Sequence, residues 1–223
     1  REWPTYSQHA EEFLGEAAML YVYTGDETYA ALFKEHLVEW LERGDYYSAT
    51  DDFFRPMVSW DLVEESPAFS DAERLWITNK LWEAINVMRP GWDTYVFSVK
   101  DRFEPRANHN ARSAIGIYFA ARYFWQYYGI AEMKQWLADV ATFWKPQMTS
   151  FMAMEGTDQS IASLLPATAY ALAENEASFL SRDILGRIAD KPHMQNRSYY
   201  MIWGGYGPLW LNLAAHLYDE PEY

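Results

Sequence analysis

Apolar positions recur along this chain at intervals of three and four residues, the spacing of one face of an α-helix. From 8 to 23, Phe13, Ala17, Leu20 and Tyr21 fall on one face, and the run stops at Thr24-Gly25-Asp26. Gly25 suits the residue just past a helix and Asp26 the cap of the next. Tyr29, Phe33, Leu37, Trp40 and Leu41 then form a second stripe that ends near Gly44. Two helices joined by so short a turn lie antiparallel. Residues 45–69 break the period with aromatics, carboxylates and proline, which predicts a loop holding at most a short helix around 60–64.

Ser70-Asp71-Ala72-Glu73 reads as a capping box opening a helix with Leu75, Thr78, Leu81, Trp82, Ile85 and Met88 inward, closed by Pro90-Gly91. Residues 92–107 read as loop or extended chain, with Thr94 to Phe97 the only strand-like run. A long helix is expected over 110–128, with Ala114, Ile117, Ala121, Phe124 and Tyr128 on one face and Gly129 as its stop. Met133, Trp136, Leu137, Val140 and Trp144 define the next. Further helices are expected over 159–174, with Pro166 near the start or at a kink, over 179–188, and after the loop YYMIWGGYG, opened by Pro208. The expectation is an all-α chain of about eight helices in antiparallel hairpins, forming an (α/α) toroid or part of one, in a single domain spanning 1–223.

Composition narrows the partners more than the fold. The 223 residues are 50% hydrophobic, enough to bury a large core. The formal net charge of −14 repels nucleic acid and anionic membranes, so neither is expected as a partner. It does not exclude an acidic polysaccharide, because salt screens a diffuse field within roughly 10 Å while a few cationic groups act locally. The 11 Trp, 17 Tyr and 12 Phe can fill a core or line a groove, and tryptophan and tyrosine rings stack well on sugars. There are no cysteines, hence no disulfides or thiolate sites. The first residues, REWPTYS, carry neither an initiator methionine nor a signal peptide, so a fragment of a longer protein is expected.

Two stretches carry a likeness to a known family. EAAMLYVYTGDETYAALFKEHLVEWL, residues 16–41, resembles the hairpin of alginate lyase and heparinase-type polysaccharide lyases, where a Y-x-x-TGD-x-x-YA turn is frequent. RANHNARSAIGIYFAARYFWQYYG, residues 106–129, is similar to the segment that places an Asn-His pair at the mouth of their cleft-lining helix. The likeness extends loosely over residues 10–175. It implies a secreted or periplasmic domain that cleaves a uronate-containing polysaccharide by β-elimination, without a cofactor, alongside other domains of the same chain. By that resemblance Asn108 grips the substrate carboxylate, His109 acts as base or charge neutraliser, and Arg106 and Arg112 supply positive charge. The family's proton-donating tyrosine follows an acidic-Gly connection. Glu155-Gly156 matches the connection, and Tyr170 stands more than two helical turns beyond it, with Tyr199, Tyr200 and Tyr206 as other sources and packing as the alternative role.

Two rival readings keep the same architecture. A glycoside hydrolase needs two carboxylates about 5–10 Å apart across a sugar. Asp52, Asp61, Glu155 and Asp158 are available, with Asp51, Glu64 and Glu65 also grouped around Trp60. A non-catalytic glycan-binding or scaffold domain needs only aromatic platforms, for which Trp60, Trp92 and Trp203 stand in or beside loops and Tyr206 on a glycine-rich rim. The scattered His9, His36, His193 and His216 show no helical metal-site spacing, and no metal is expected. No phosphate loop, dinucleotide fingerprint or Gly-x-Ser-x-Gly elbow is present.

Overall fold

The computed structural model describes residues 7–44, 53–92, 108–150, 158–186 and 206–219, and these residues are helical with short connections and no strand. The helices are α1 (Ser7–Thr24), α2 (Glu27–Arg43), α3 (Phe54–Val63), α4 (Asp71–Trp92), α5 (Asn108–Tyr128), α6 (Glu132–Ser150), α7 (Asp158–Glu174) and α8 (Tyr206–Tyr218), with a π-helical turn at Arg182–Gly186. The chain divides into two compact units, Arg1–Glu104 with Arg112–Ala141, and Pro105–Ala111 with Thr142–Tyr223.

In the first unit, α1 and α2 form the expected hairpin, and α1 lies against α3 as well. The turn is built as its residues dictate. Gly25 takes a φ of 67°, and Asp26 caps α2 by accepting from the Thr28 amide at 2.9 Å. These bonds to Thr28 hold the exposed Asp26 carboxyl below its ordinary range. Ala30, Phe33, His36, Leu37, Trp40 and Leu41 are the buried face of α2, which ends at Gly44 with φ 65°. The predicted capping box is present. Glu73 accepts from the Ser70 amide at 2.8 Å, and Ser70 Oγ accepts from the Glu73 amide at 3.3 Å. Glu73 also accepts from Lys34 of α2 at 3.0 Å. The Ser70 bonds first, then Lys34, bring its carboxyl down to about 2.

Three expectations need correction. The stretch read mainly as loop contains α3, which begins at Phe54 rather than near 60. Pro56 lies in its first turn, where no intrahelical N–H bond is lost, and Phe53, Met57, Trp60 and Val63 are buried along one stripe. Leu75 is 62% exposed instead of facing inward; Ile77, Leu81, Ala84, Ile85 and Met88 are the buried apolar side chains of α4. Tyr128, expected on one face of α5 with Ala114, Ile117, Ala121 and Phe124, is 53% exposed while those four are buried. In addition, α4 does not stop at Pro90-Gly91 but runs to Trp92.

Helix α5 is buried nearly all the way round from Ser113 to Ala121. Such a helix needs small residues where another backbone approaches. A Cβ on Gly116 would stand 3.5 Å from the Phe54 amide nitrogen and 3.7 Å from Phe53 Cβ. That is ordinary contact for a methyl but leaves no room beyond it. Gly116→Ala is therefore expected to keep or raise stability by up to about 1 kcal/mol, through helix propensity. Gly116→Leu is expected to lose about 1–3 kcal/mol by overpacking. Denaturant midpoints of the two variants check this, and a leucine tolerated as well as alanine would contradict the close approach of α3.

The α5–α6 turn also follows the sequence. Gly129 has φ 64°, its amide donates to the Trp125 carbonyl at 3.1 Å, and the Ile130 amide donates to that of Phe124 at 3.4 Å. Arg89 of α4 then meets α6, paired with Glu132 and lying 5.2 Å from the centre of the Trp136 ring.

In the second unit, Phe143, Trp144, Gln147 and Met148 of α6 and Ala167, Thr168, Tyr170 and Ala171 of α7 are buried. Pro166 sits at the ninth position of α7 rather than near its start. The helix expected over 179–188 is, in its described part, only turns and the five-residue π-helical segment. The Tyr218 hydroxyl of α8 is 2.9 Å from the Ser181 carbonyl and 3.1 Å from that of Leu180, and Arg182 lies over the Tyr218 ring at 5.1 Å. Those contacts engage the carbonyls of the preceding turn from outside the segment. No helix among the described residues is long and apolar enough to cross a membrane.

Candidate functional site

Asn108 and His109 are the first two residues of α5, the position at the mouth of a helix on which the Asn-His expectation rests. The opening amides of a helix have no partner within it, and the aligned peptide dipoles favour negative charge there. Their side chains lie outside what is described. Asn110, next in the same turn, is buried, and Arg112 is half-buried. Arg106, Glu155 and Trp203 lie outside the described residues, as do Asp51, Asp52, His193, Tyr199, Tyr200 and the strand-like run at 94–97. Trp92 closes α4 and Tyr206 opens α8, again with side chains outside the description.

Tyr170 is 5% exposed and stacked on Trp144, ring centres 5.7 Å apart and planes 24° from parallel. Burial, followed by the charges of Glu174 and Glu176, pushes its hydroxyl up to about 12. The phenol is therefore neutral at ordinary pH, the form a proton donor needs, but it is packed as a core side chain.

Trp60 does not stand in a loop offering a face to a sugar. It is fully buried in α3, edge-on to Phe69 at 5.2 Å, and its Nε1 donates to Tyr123 Oη at 3.0 Å. A ring covered on both faces has nothing to stack on a ligand. Its partner leads to the best-defined polar cluster in the first unit. Tyr123 donates to Glu64 Oε2 at 2.5 Å, so one hydroxyl joins the buried indole of α3 to the carboxylate that follows that helix. Burial, then the bonds to Glu64, raise the Tyr123 pKa. Burial also raises Glu64, against the opposing bond from Tyr123 and with further upward pressure from Asp61 and Glu65. Arg74 secures the corner by donating to the backbone carbonyls of Glu64 at 2.6 Å and Ser66 at 3.0 Å. Tyr127, one turn beyond Tyr123, shares a hydrogen bond with Asp61, which raises its pKa.

The sequence drew attention to Asp61, Glu64 and Glu65 beside Trp60, but gave no sign of the tyrosines facing them from α5. Tyr123 to Tyr127 is an i, i+4 spacing, which by itself marks a helix face and nothing more. Among the described residues no group of three His, Asp or Glu side chains is placed to hold a metal ion. No protein family, curated protein or solved structure matches the chain.

Proposed function

We propose that this chain is a polysaccharide lyase-like domain, a toroid or partial toroid of helical hairpins that cleaves a uronate-containing glycan by β-elimination. The observation that carries the reading is the position of Asn108 and His109 in the opening turn of α5. Removing the proton α to the uronate carboxylate builds negative charge on that carboxylate. Donors and a helix N-terminus aimed at it stabilise the enolate-like state. In this reading Asn108 holds the carboxylate, His109 takes the proton or neutralises the charge, Arg106 and Arg112 add positive charge, and a neutral tyrosine protonates the departing glycosidic oxygen. Tyr170 has the required protonation state. Secretion or export to the periplasm and attachment to further domains belong to the same proposal.

The hydrolytic alternative gains less support. Asp61 and Glu64 have different environments, but they are three residues apart at the end of one helix. They stand side by side, where hydrolysis needs carboxyls on opposite sides of a sugar.

The test is ultraviolet absorbance during incubation of the purified chain with alginate, heparan, chondroitin and ulvan in turn. The expected result is a rising unsaturated-uronate signal on one of them, abolished in His109→Ala with the helical circular dichroism retained. Release of reducing ends without that signal would replace elimination with hydrolysis. Folded protein inert on all four would remove the catalytic reading.

A further inference from the structure

The second half of α6 buries a cluster of rings. Phe143, Trp144, Gln147 and Met148 are buried there, and Trp144 is fully enclosed. Phe143 meets Trp144 edge-on, ring centres 5.0 Å apart and planes at 89°. Tyr170 of α7 lies nearly parallel to the indole instead, at 5.7 Å and 24°. An edge-on neighbour fills space, whereas a parallel one covers a face and leaves the phenol little freedom to tilt.

The indole is not retained for a hydrogen bond. Trp60 in the first unit donates from Nε1 to Tyr123, as a buried tryptophan usually does to some acceptor. Trp144 Nε1 is buried with no such acceptor among the described residues. A buried donor left unmet costs free energy that phenylalanine or leucine at the same place would not incur. What tryptophan supplies there is a broad flat surface, and Tyr170 is stacked on it.

Tyr170 shares its compact unit with the opening turn of α5. That unit comprises Pro105–Ala111 with Thr142–Tyr223, so Asn108, His109, Trp144 and Tyr170 belong to one body. A proton given to a departing oxygen moves along a hydrogen bond. A misplacement of about 1 Å can cost roughly 10²-fold in rate.

We infer that Trp144 is a positioning residue for Tyr170, its stacked indole holding the phenol in line with the glycosidic oxygen that departs during elimination. The inference rests on the lyase reading and deepens it. In that step the proton α to the carboxylate goes to the base, and the α,β double bond forms. The bond from the β carbon to the glycosidic oxygen breaks, and the oxygen leaves with the Tyr170 proton. Solvent then returns a proton to the phenolate, and the base releases the one it took. Trp144 touches none of the reacting atoms and acts through the ring it covers.

The experiment compares Trp144→Met, Trp144→Phe and Met148→Ala with the parent on two substrates. One is the polysaccharide on which the parent gives the unsaturated-uronate signal. The other is a uronate with nitrophenoxide as the leaving group, which departs without needing a proton. Trp144→Met fills the volume without a flat face. Its kcat on the polysaccharide is expected to fall about 10–100-fold with KM changed less than about threefold, while on nitrophenoxide it matches the parent. Trp144→Phe keeps a ring to stack and should recover most of the loss. Met148→Ala, a buried truncation on the same helix, should leave both rates unchanged. The ratio of the two rates in one preparation does not depend on the fraction folded, so a destabilised variant still decides the question. Equal loss on both substrates would reduce Trp144 to a core residue and overturn the inference. An unimpaired Trp144→Met would overturn it too, as would a Trp144→Phe no better than methionine, which would shift the effect to the indole N–H. Each of these leaves the lyase reading standing. A parent that eliminates on no polysaccharide overturns that reading and this inference with it.

Discussion

Trp60→Ala is expected to destabilise the first unit by about 3–5 kcal/mol, the range for truncating a large buried aromatic side chain. Trp60 is 0% exposed, and it contributes both packing and a polar bond. Its removal leaves a cavity beside Phe69 and takes the indole donor from the Tyr123 hydroxyl. That hydroxyl keeps Glu64 as its acceptor, so the loss is mainly one of volume and contact. Trp60→Phe separates the contributions. It preserves much of the apolar volume and removes the indole N–H, so a smaller loss of about 1–2 kcal/mol is expected. Chemical denaturation followed by circular dichroism checks both. With two compact units, two transitions are possible, and the shift belongs to the one that unfolds the first unit. A loss under about 1 kcal/mol for Trp60→Ala would mean that the ring is not packed as described and would reopen its use as a sugar platform.

The same tryptophan shows how much of the molecule could be read in advance. The hairpin of α1 and α2, the capping box of α4 and the glycine stop of α5 were legible because each rests on local chemistry. Gly25 and Gly129 adopt positive φ, and Ser70 and Glu73 satisfy each other's amides. Helix α3 was hidden by its own composition. Pro56 and the neighbouring aspartates signal a loop, although Phe53, Met57, Trp60 and Val63 already carry helical spacing. A proline costs a helix nothing in its first turn, and that position decided the matter.

The candidate site divides along the same line. Periodicity, a local signal, puts the helix start at 110, two residues after its start at Asn108, and the placement of Asn108 and His109 at its mouth comes from the family resemblance. The tyrosines opposite Glu64 come from α5, 59 residues away in sequence for Tyr123, and periodicity says which residues share a face, not which helix that face will meet. Exposure was equally illegible for single aromatics. Tyr128 extends the α5 stripe one turn past Phe124, but it falls at the helix end and remains half exposed.

Glu64 provides the second prediction, a dependence of stability on pH with the opposite sign from that of Glu73. Glu64 is raised above 4.5 by burial, and Asp61 and Glu65 add to the rise despite the bond from Tyr123 and the charge of Arg74. The folded chain therefore holds this proton more tightly than the unfolded chain does. Below 4.5 the group is protonated in both states and costs nothing. As pH rises above 4.5 and through the folded value, the penalty of the buried charge appears and stability falls. Glu73 behaves conversely. Its bonds to Ser70 and Lys34 lower it to about 2, so its contribution is complete above 4.5 and is lost as pH falls from there toward 2. Glu64→Gln keeps an oxygen that can accept from Tyr123 and removes the charge. At neutral pH it is expected to raise stability, by under about 1 kcal/mol because the partly exposed site is screened. For a chain of this length that is roughly 2–4 °C in Tm at most. The gain should vanish below pH 4.5, which a simple packing improvement would not do. Thermal melts of both proteins across the acid range decide it. A glutamine variant less stable than the parent at neutral pH would mean that the bond from Tyr123 outweighs burial, and that the carboxylate is held there by attraction.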